Sequence, residues 1–151
     1  MIESPPMTPP SDEIRLARLA GMLWEARLRR RPCAAPTSLE TWRSIADAYQ
    51  VSLINHHRRL DGGVRAVGAK IGLTSAAVQR QLGVDQPDFG YLSSDMLVED
   101  GGVVPAGSLL QGRVEGEVAF TLKADLRGPG VGRAQVAAAT LHVAAAIEVI
   151  D

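Results

Sequence analysis

Apolar residues recur at helical spacing from Leu16 through Leu19 and Leu23 to Ala26, giving one stripe along the first part of the chain. Ser11, Asp12 and Glu13 stand just before it, a capping hydroxyl and then acids in the first turn. Together they predict a helix over 11–30. Pro32 and Pro36 interrupt the chain, after which Thr37 and Glu40 fit a capping box. Trp42, Ile45, Ala46, Tyr49 and Leu53 mark the buried face of a second helix, which the Asp61-Gly62-Gly63 turn ends near Leu60.

The period changes from Val64 onward. Val64–Gly72 reads as a short strand interrupted by glycine, and Thr74 or Ser75 caps a helix from Ala76 to Leu82 that Gly83 ends. Val84–Gly90 reads as a loop, Tyr91–Val98 as extended chain, Asp100-Gly101-Gly102 as a hairpin-type turn, and Val103-Val104 as a return. Val114–Lys123 is an apolar run predicted to be a buried central strand. Gln135 to about Val143 reads as an Ala-rich helix carrying His142, and the β-branched run to Asp151 as a closing strand. The fold class is therefore α+β, with N-terminal helices followed by a β-rich part. Residues 1–10 hold four prolines and read as a disordered tail, 11–63 as a helical segment, and 64–151 as the β-rich part.

Composition narrows the function classes. With 46% hydrophobic and 22% charged residues over 151 positions, the chain has the make-up of a globular protein. A formal net charge of −1 gives no reason to expect nucleic acid or an anionic membrane as partner. The basic run Arg27, Arg29, Arg30 and Arg31 ends a helix, where cations complement the dipole. One cysteine, Cys33, forms no internal disulfide and fits a reducing compartment. No apolar run approaches transmembrane length and no signal peptide is visible, so the expected location is cytoplasmic.

The central strand carries the chemistry. Glu115 and Glu117 are two residues apart, so strand geometry points both to one face while Val114, Val118 and Phe120 take the other. Like charges held that close need a cation, a shared proton or open water. Glu148 is a third acid in a strand-like apolar setting. Three carboxylates without convincing Cys or His partners favour a hard cation, Mg²⁺ or Mn²⁺. His56 and His57 are adjacent on a helix and point about 100° apart, which suits solvent or dipole contacts better than one shared metal. Lys70 stands where a strand opens into a loop, a placement suited to acid–base work, although lysines usually occupy solvated faces. Asp85 and Asp88 flank Pro87 as turn formers do.

The segments Lys70-Ile-Gly-Leu-Thr-Ser75, Val78-Gln79 and Gln81–Gly90 resemble the 2-keto-4-pentenoate hydratase family of the fumarylacetoacetate hydrolase superfamily. So do Ser94-Asp95-Met96, Leu110-Gln111, Arg113–Val118 and Ala146–Asp151, in the family's order from about Val64 onward. The resemblance implies that 64–151 is part of a catalytic domain with a fumarylacetoacetate-hydrolase-like fold. It places Glu115, Glu117 and Glu148 at three metal-ligand positions, Lys70 as the acid–base lysine and Asp88 as an acid near the substrate. The loop around Leu82 is implied to bind the substrate carboxylate through backbone N–H groups. Gly112 and Gly116 depart from residues that are bulkier in the family.

The reaction so implied adds water to 2-hydroxypenta-2,4-dienoate, giving 4-hydroxy-2-oxopentanoate in aromatic meta-cleavage catabolism. The cation would act as Lewis acid and template, with Lys70 as proton shuttle. Alternatives are a 4-oxalocrotonate decarboxylase-like enzyme and a catalytically inactive remnant or partner subunit. The implied partners are a small 2-hydroxydienoate or 2-oxo acid and further copies of the chain in a homo-oligomer, or a complex with the pathway decarboxylase. Relatives run beyond Asp151, and the expectation from sequence is a fold truncated at its C-terminus.

Overall fold

The computed structural model describes residues 10–39 and 44–151. The expected tail, Pro10 excepted, and the predicted positions Glu40 and Trp42 lie outside the described residues. Those described fall into two compact units, 10–104 and 105–151. Helices α1 (Pro10–Arg29), α2 (Pro36–Leu39), α3 (Ile45–Asp61) and α4 (Ala76–Leu82) belong to the first, with strands β1 (Ala66–Gly72) and β2 (Asp88–Ser93). The second holds β3 (Arg113–Leu122), α5 (Arg133–Ala139) and β4 (Thr140–Ile150). Helices followed by antiparallel hairpins make the α+β architecture that the sequence predicts. No helix among the described residues is long and apolar enough to cross a membrane.

In the first unit, α1 packs on α3 through its predicted stripe. Leu16, Leu19, Ala20 and Val51 are buried, with Met22, Leu23 and Ile54 against them. Each leucine so buried stabilises the pair by about 1.5–3 kcal/mol relative to exposure. Polar contacts flank the seam: the Arg15 guanidinium lies 2.7 Å from Asp47, and Asn55 Nδ2 donates to the Ala20 carbonyl at 3.0 Å. The α3 face differs from the predicted one. Ile45 is 59% exposed, and the helix begins after Ser44, whose hydroxyl accepts from the Asp47 N–H. The reason is that α3 serves two neighbours. Val51 and Ile54 meet α1, while Tyr49 and His56 meet β2.

That second contact docks the β1–β2 hairpin. Phe89 stacks on Tyr49 at 4.3 Å and Tyr91 on His56 at 4.4 Å, both nearly parallel. Burial first, and then His57 and Arg59, hold the His56 imidazole below its ordinary 6.5, which favours the neutral stacked ring. At the hairpin's end Ser93 is wholly buried. Arg59 Nη1 donates to Ser93 Oγ at 2.8 Å and to Asp95 at 2.7 Å, and the Ser93 hydroxyl donates to Asp95 Oδ1 at 2.7 Å. Arg27 of α1 lies 3.5 Å from the same carboxylate. One carboxylate thus ties α1, α3 and the end of β2 together.

The loop predicted at Val84–Gly90 gives way at Asp88, where β2 begins. Pairing with β1 overrides the turn preference of aspartate. Extended chain stops at Ser93, because Ser94–Met96 form a 3₁₀ turn around the Asp95 clasp.

In the second unit β3 and β4 pair antiparallel from Arg113↔Ile150 to Leu122↔Thr140. Two expectations are corrected here. His142 lies on β4 opposite Thr121, not on a helix, since α5 ends at Ala139. Thr140 Oγ1 donates back to the Val136 carbonyl and the Lys123 N–H donates to the Ala139 carbonyl, which closes the helix there. Secondly, every residue of β3 is exposed. Among the described residues β3 pairs with β4 alone, so the apolar character of Val114, Val118 and Phe120 does not translate into burial. Asp151 accepts from the backbone N–H groups of Leu110 and Gln111 and fastens the segment before β3 to the end of β4.

Replacing Asp95 with Asn should destabilise the chain by about 1 kcal/mol, the usual value for charged hydrogen bonds discounted for partial exposure. Burial raises the Asp95 carboxyl, but the Ser93 hydroxyl, Arg59 and Arg27 outweigh it and hold the group below 3.8. A depressed carboxyl contributes stability above 3.8 that is lost as pH falls through the lower folded value. Urea melts of parent and Asp95→Asn should therefore differ at pH 7 and converge toward pH 2.

Candidate metal centre and the lysine–aspartate pair

The register of β3 against β4 decides where the three glutamates lie. Glu115 faces Glu148 directly, and Glu117 faces Ala146 one step along the same face. One carboxylate oxygen from each of Glu115, Glu117 and Glu148 lies within 4.8 Å of the others. Glu148 is partly buried and the other two are exposed. Like charges directly opposite across a ladder are destabilising. Among the described residues no lysine or arginine forms an ion pair with any of the three.

This donor set fits a divalent cation. Metal–oxygen bonds of about 2.0–2.6 Å let one ion join oxygens up to roughly twice that distance apart. Three carboxylates with no sulfur or imidazole are the ligands of a hard ion. Gly116, between two of the ligands, has open space where a Cβ would project, so its missing side chain reflects no steric demand.

In the first unit Lys70 and Asp88 come together across β1–β2. Lys70 pairs with Gly90 and Gly72 with Asp88, which sets the two charged side chains diagonally on one face. Lys70 Nζ lies 3.9 Å from Asp88 Oδ1, beyond hydrogen-bond reach. That oxygen is buried and has no hydrogen-bond partner. Aromatic stacking on α3 occupies the hairpin's other face, so the Lys70 side is left for polar groups.

Leu82 is the last residue of α4 and is 59% exposed. Gly83 follows in the left-handed conformation, φ 72°, with its N–H turned back to the Gln79 and Arg80 carbonyls. No hydrogen bond or ion pair joins Leu82 to Lys70 or Asp88. Asp85 is exposed in the turn before β2, as a turn former is expected to be. The residues that sequence reading missed are Gly72 and Gly90, which border Lys70. Their signal was glycine alternating with lysine at the strand period.

No protein-family model matches the chain. It is 46% identical over 141 residues to a 2-hydroxypent-2,4-dienoate hydratase of Pseudomonas putida, an alignment covering 93% of this chain and 64% of the relative. A 2-hydroxyhexa-2,4-dienoate hydratase of Comamonas testosteroni is 47% identical over 131 residues, 85% of this chain and 50% of the relative. A 2-keto-4-pentenoate hydratase of Burkholderia vietnamiensis is 43% identical over 141 residues, 93% and 54% respectively.

Among solved structures, 4-oxalocrotonate decarboxylase from Pseudomonas putida G7, complexed with calcium and acetate, superposes with a TM-score of 0.87 at 35% identity. The match covers 92% of this chain and 54% of that one. The same enzyme complexed with magnesium and adipate gives 0.85 at 37% identity, covering 92% and 52%. The chain spans about half the length of most of these relatives. Over that span the chain is similar in sequence to 2-keto-4-pentenoate hydratases and in fold to 4-oxalocrotonate decarboxylase.

Proposed function

We propose that this chain carries the metal-binding and proton-handling residues of a hydratase that adds water to 2-hydroxypenta-2,4-dienoate, giving 4-hydroxy-2-oxopentanoate. The observation that carries the reading is the convergence of Glu115, Glu117 and Glu148 on one face of β3–β4, in a chain whose curated relatives are named as dienoate hydratases.

The three glutamates are assigned to Mg²⁺ or Mn²⁺. When bound, such an ion supplies positive charge that polarises the substrate's oxygen-bearing end. Lys70 holds and delivers a proton from its ammonium, and Asp88 orients the substrate or passes the proton on. The backbone around Leu82 is assigned to the substrate carboxylate on the family resemblance alone. Work as a homo-oligomer, or beside the decarboxylase of the same pathway, belongs to the same proposal. A second reading, a 4-oxalocrotonate decarboxylase-like activity, has its own support in the structural match to that enzyme.

Loss of the dienol's ultraviolet absorbance, followed with Mg²⁺ or Mn²⁺, tests the reading directly. Metal-dependent decay that yields 4-hydroxy-2-oxopentanoate supports the hydratase. Carbon dioxide release from 4-oxalocrotonate would shift the assignment to the decarboxylase, and no turnover of either substrate would favour the inactive remnant. In an active protein Lys70→Met should lower kcat by about 10²–10⁴-fold, the usual worth of a placed acid–base group. Calorimetric titration with Mg²⁺ checks the ligand set independently. Glu115→Gln should weaken binding at least about tenfold, since losing even a hydrogen-bond partner of a metal ligand typically costs that much, and unchanged affinity would reject the triad.

A further inference from the structure

The face of β1–β2 that holds Lys70 is bare on both sides of it. Gly90 is its cross-strand partner and Gly72 follows it on the same face, opposite Asp88. A Cβ on Gly90 would stand 3.3 Å from Lys70 Cγ and 3.4 Å from its Cε. A Cβ on Gly72 would fall on Asp88 Oδ1 and lie 3.2 Å from Lys70 Nζ. Gly68, on the same face, differs: a Cβ there would meet only Leu92 Cδ1, at 4.0 Å, an ordinary contact. A side chain at Gly72 would displace the Asp88 carboxylate and one at Gly90 would shift the Lys70 stem by a few tenths of an ångström, whereas one at Gly68 would disturb neither.

Lys70 Nζ and Asp88 Oδ1 are 3.9 Å apart, too far for a direct hydrogen bond and close enough for an ion pair. The ammonium is a donor and the carboxylate oxygen, buried and without a hydrogen bond, is an acceptor. We infer that Gly72 and Gly90 are positioning residues: having no side chains of their own, they leave the Lys70 ammonium and the Asp88 carboxylate to meet as an ion pair on this face. The assignment rests on the proposed roles of Lys70 and Asp88. The steric part stands without them.

The chain has two lysines, Lys70 and Lys123, so competitive acetylation by limiting acetic anhydride, mapped by mass spectrometry, reads Lys70 against an internal reference. Gly90→Ala should push the lysine stem off its partner and raise the Lys70/Lys123 labelling ratio at least threefold. Asp88→Asn should do the same, and Gly68→Ala should leave the ratio within about 1.5-fold. A ratio unchanged in Gly90→Ala, or raised equally by Gly68→Ala, overturns the proposal. Circular dichroism guards against unfolding. If Gly90→Ala does not fold, Asp88→Asn decides, because an unchanged ratio there means that no pair exists. Where the parent turns over the dienoate, Gly90→Ala should lower kcat at least tenfold with KM within twofold. An altered ratio in a parent without turnover rejects the hydratase reading and keeps the positioning role.

Discussion

Two glutamates facing each other across an antiparallel ladder repel, and the register of β3 against β4 places Glu115 opposite Glu148 with Glu117 beside them. A one-residue slip would send the acids of one strand to the opposite face. Holding that register therefore holds the site. The Asp151 carboxylate, fastened to the Leu110 and Gln111 N–H groups, closes the hairpin at the end nearest the acids. Those two hydrogen bonds also keep the Asp151 carboxyl below its ordinary range. The repulsion, set against so firm a register, is the physical reason for proposing a cation there.

The other hairpin follows a different logic. One face of β1–β2 is spent on stacking against α3, through Phe89 on Tyr49 and Tyr91 on His56. Strand alternation then commits the opposite face to Lys70, Asp88 and the glycines between them. The Arg59–Ser93–Asp95 clasp fixes the end of β2 to α3 and so fixes that face. Packing on one side determines which residues the other side presents.

Much of this was legible in the chain. Leu16, Leu19 and Leu23 announced the α1 seam because helical spacing is a local property. Glu115 and Glu117 were legible as a pair for the same reason, since a strand of period two needs no partner to align them. Glu148 as the residue opposite Glu115 was not, because register is set by pairing about thirty residues away. The alanines around His142 favour a helix, and β4 forms there instead because pairing with β3 competes for the same residues. The exposure of β3 was unreadable from its apolar composition, since burial depends on what covers a strand. Ile45 misled in the same way, because α3 is shared between α1 and β2. The glycines beside Lys70 carried a visible spacing, yet their meaning required the distance between two side chains.

The central claim is that Glu115, Glu117 and Glu148 hold one divalent cation, and anomalous diffraction from crystals grown with Mn²⁺ tests it most directly. The account predicts one manganese peak bonded to all three carboxylates, lost in Glu148→Gln. A peak elsewhere with none between these glutamates, or one that persists undiminished in Glu148→Gln, would contradict it.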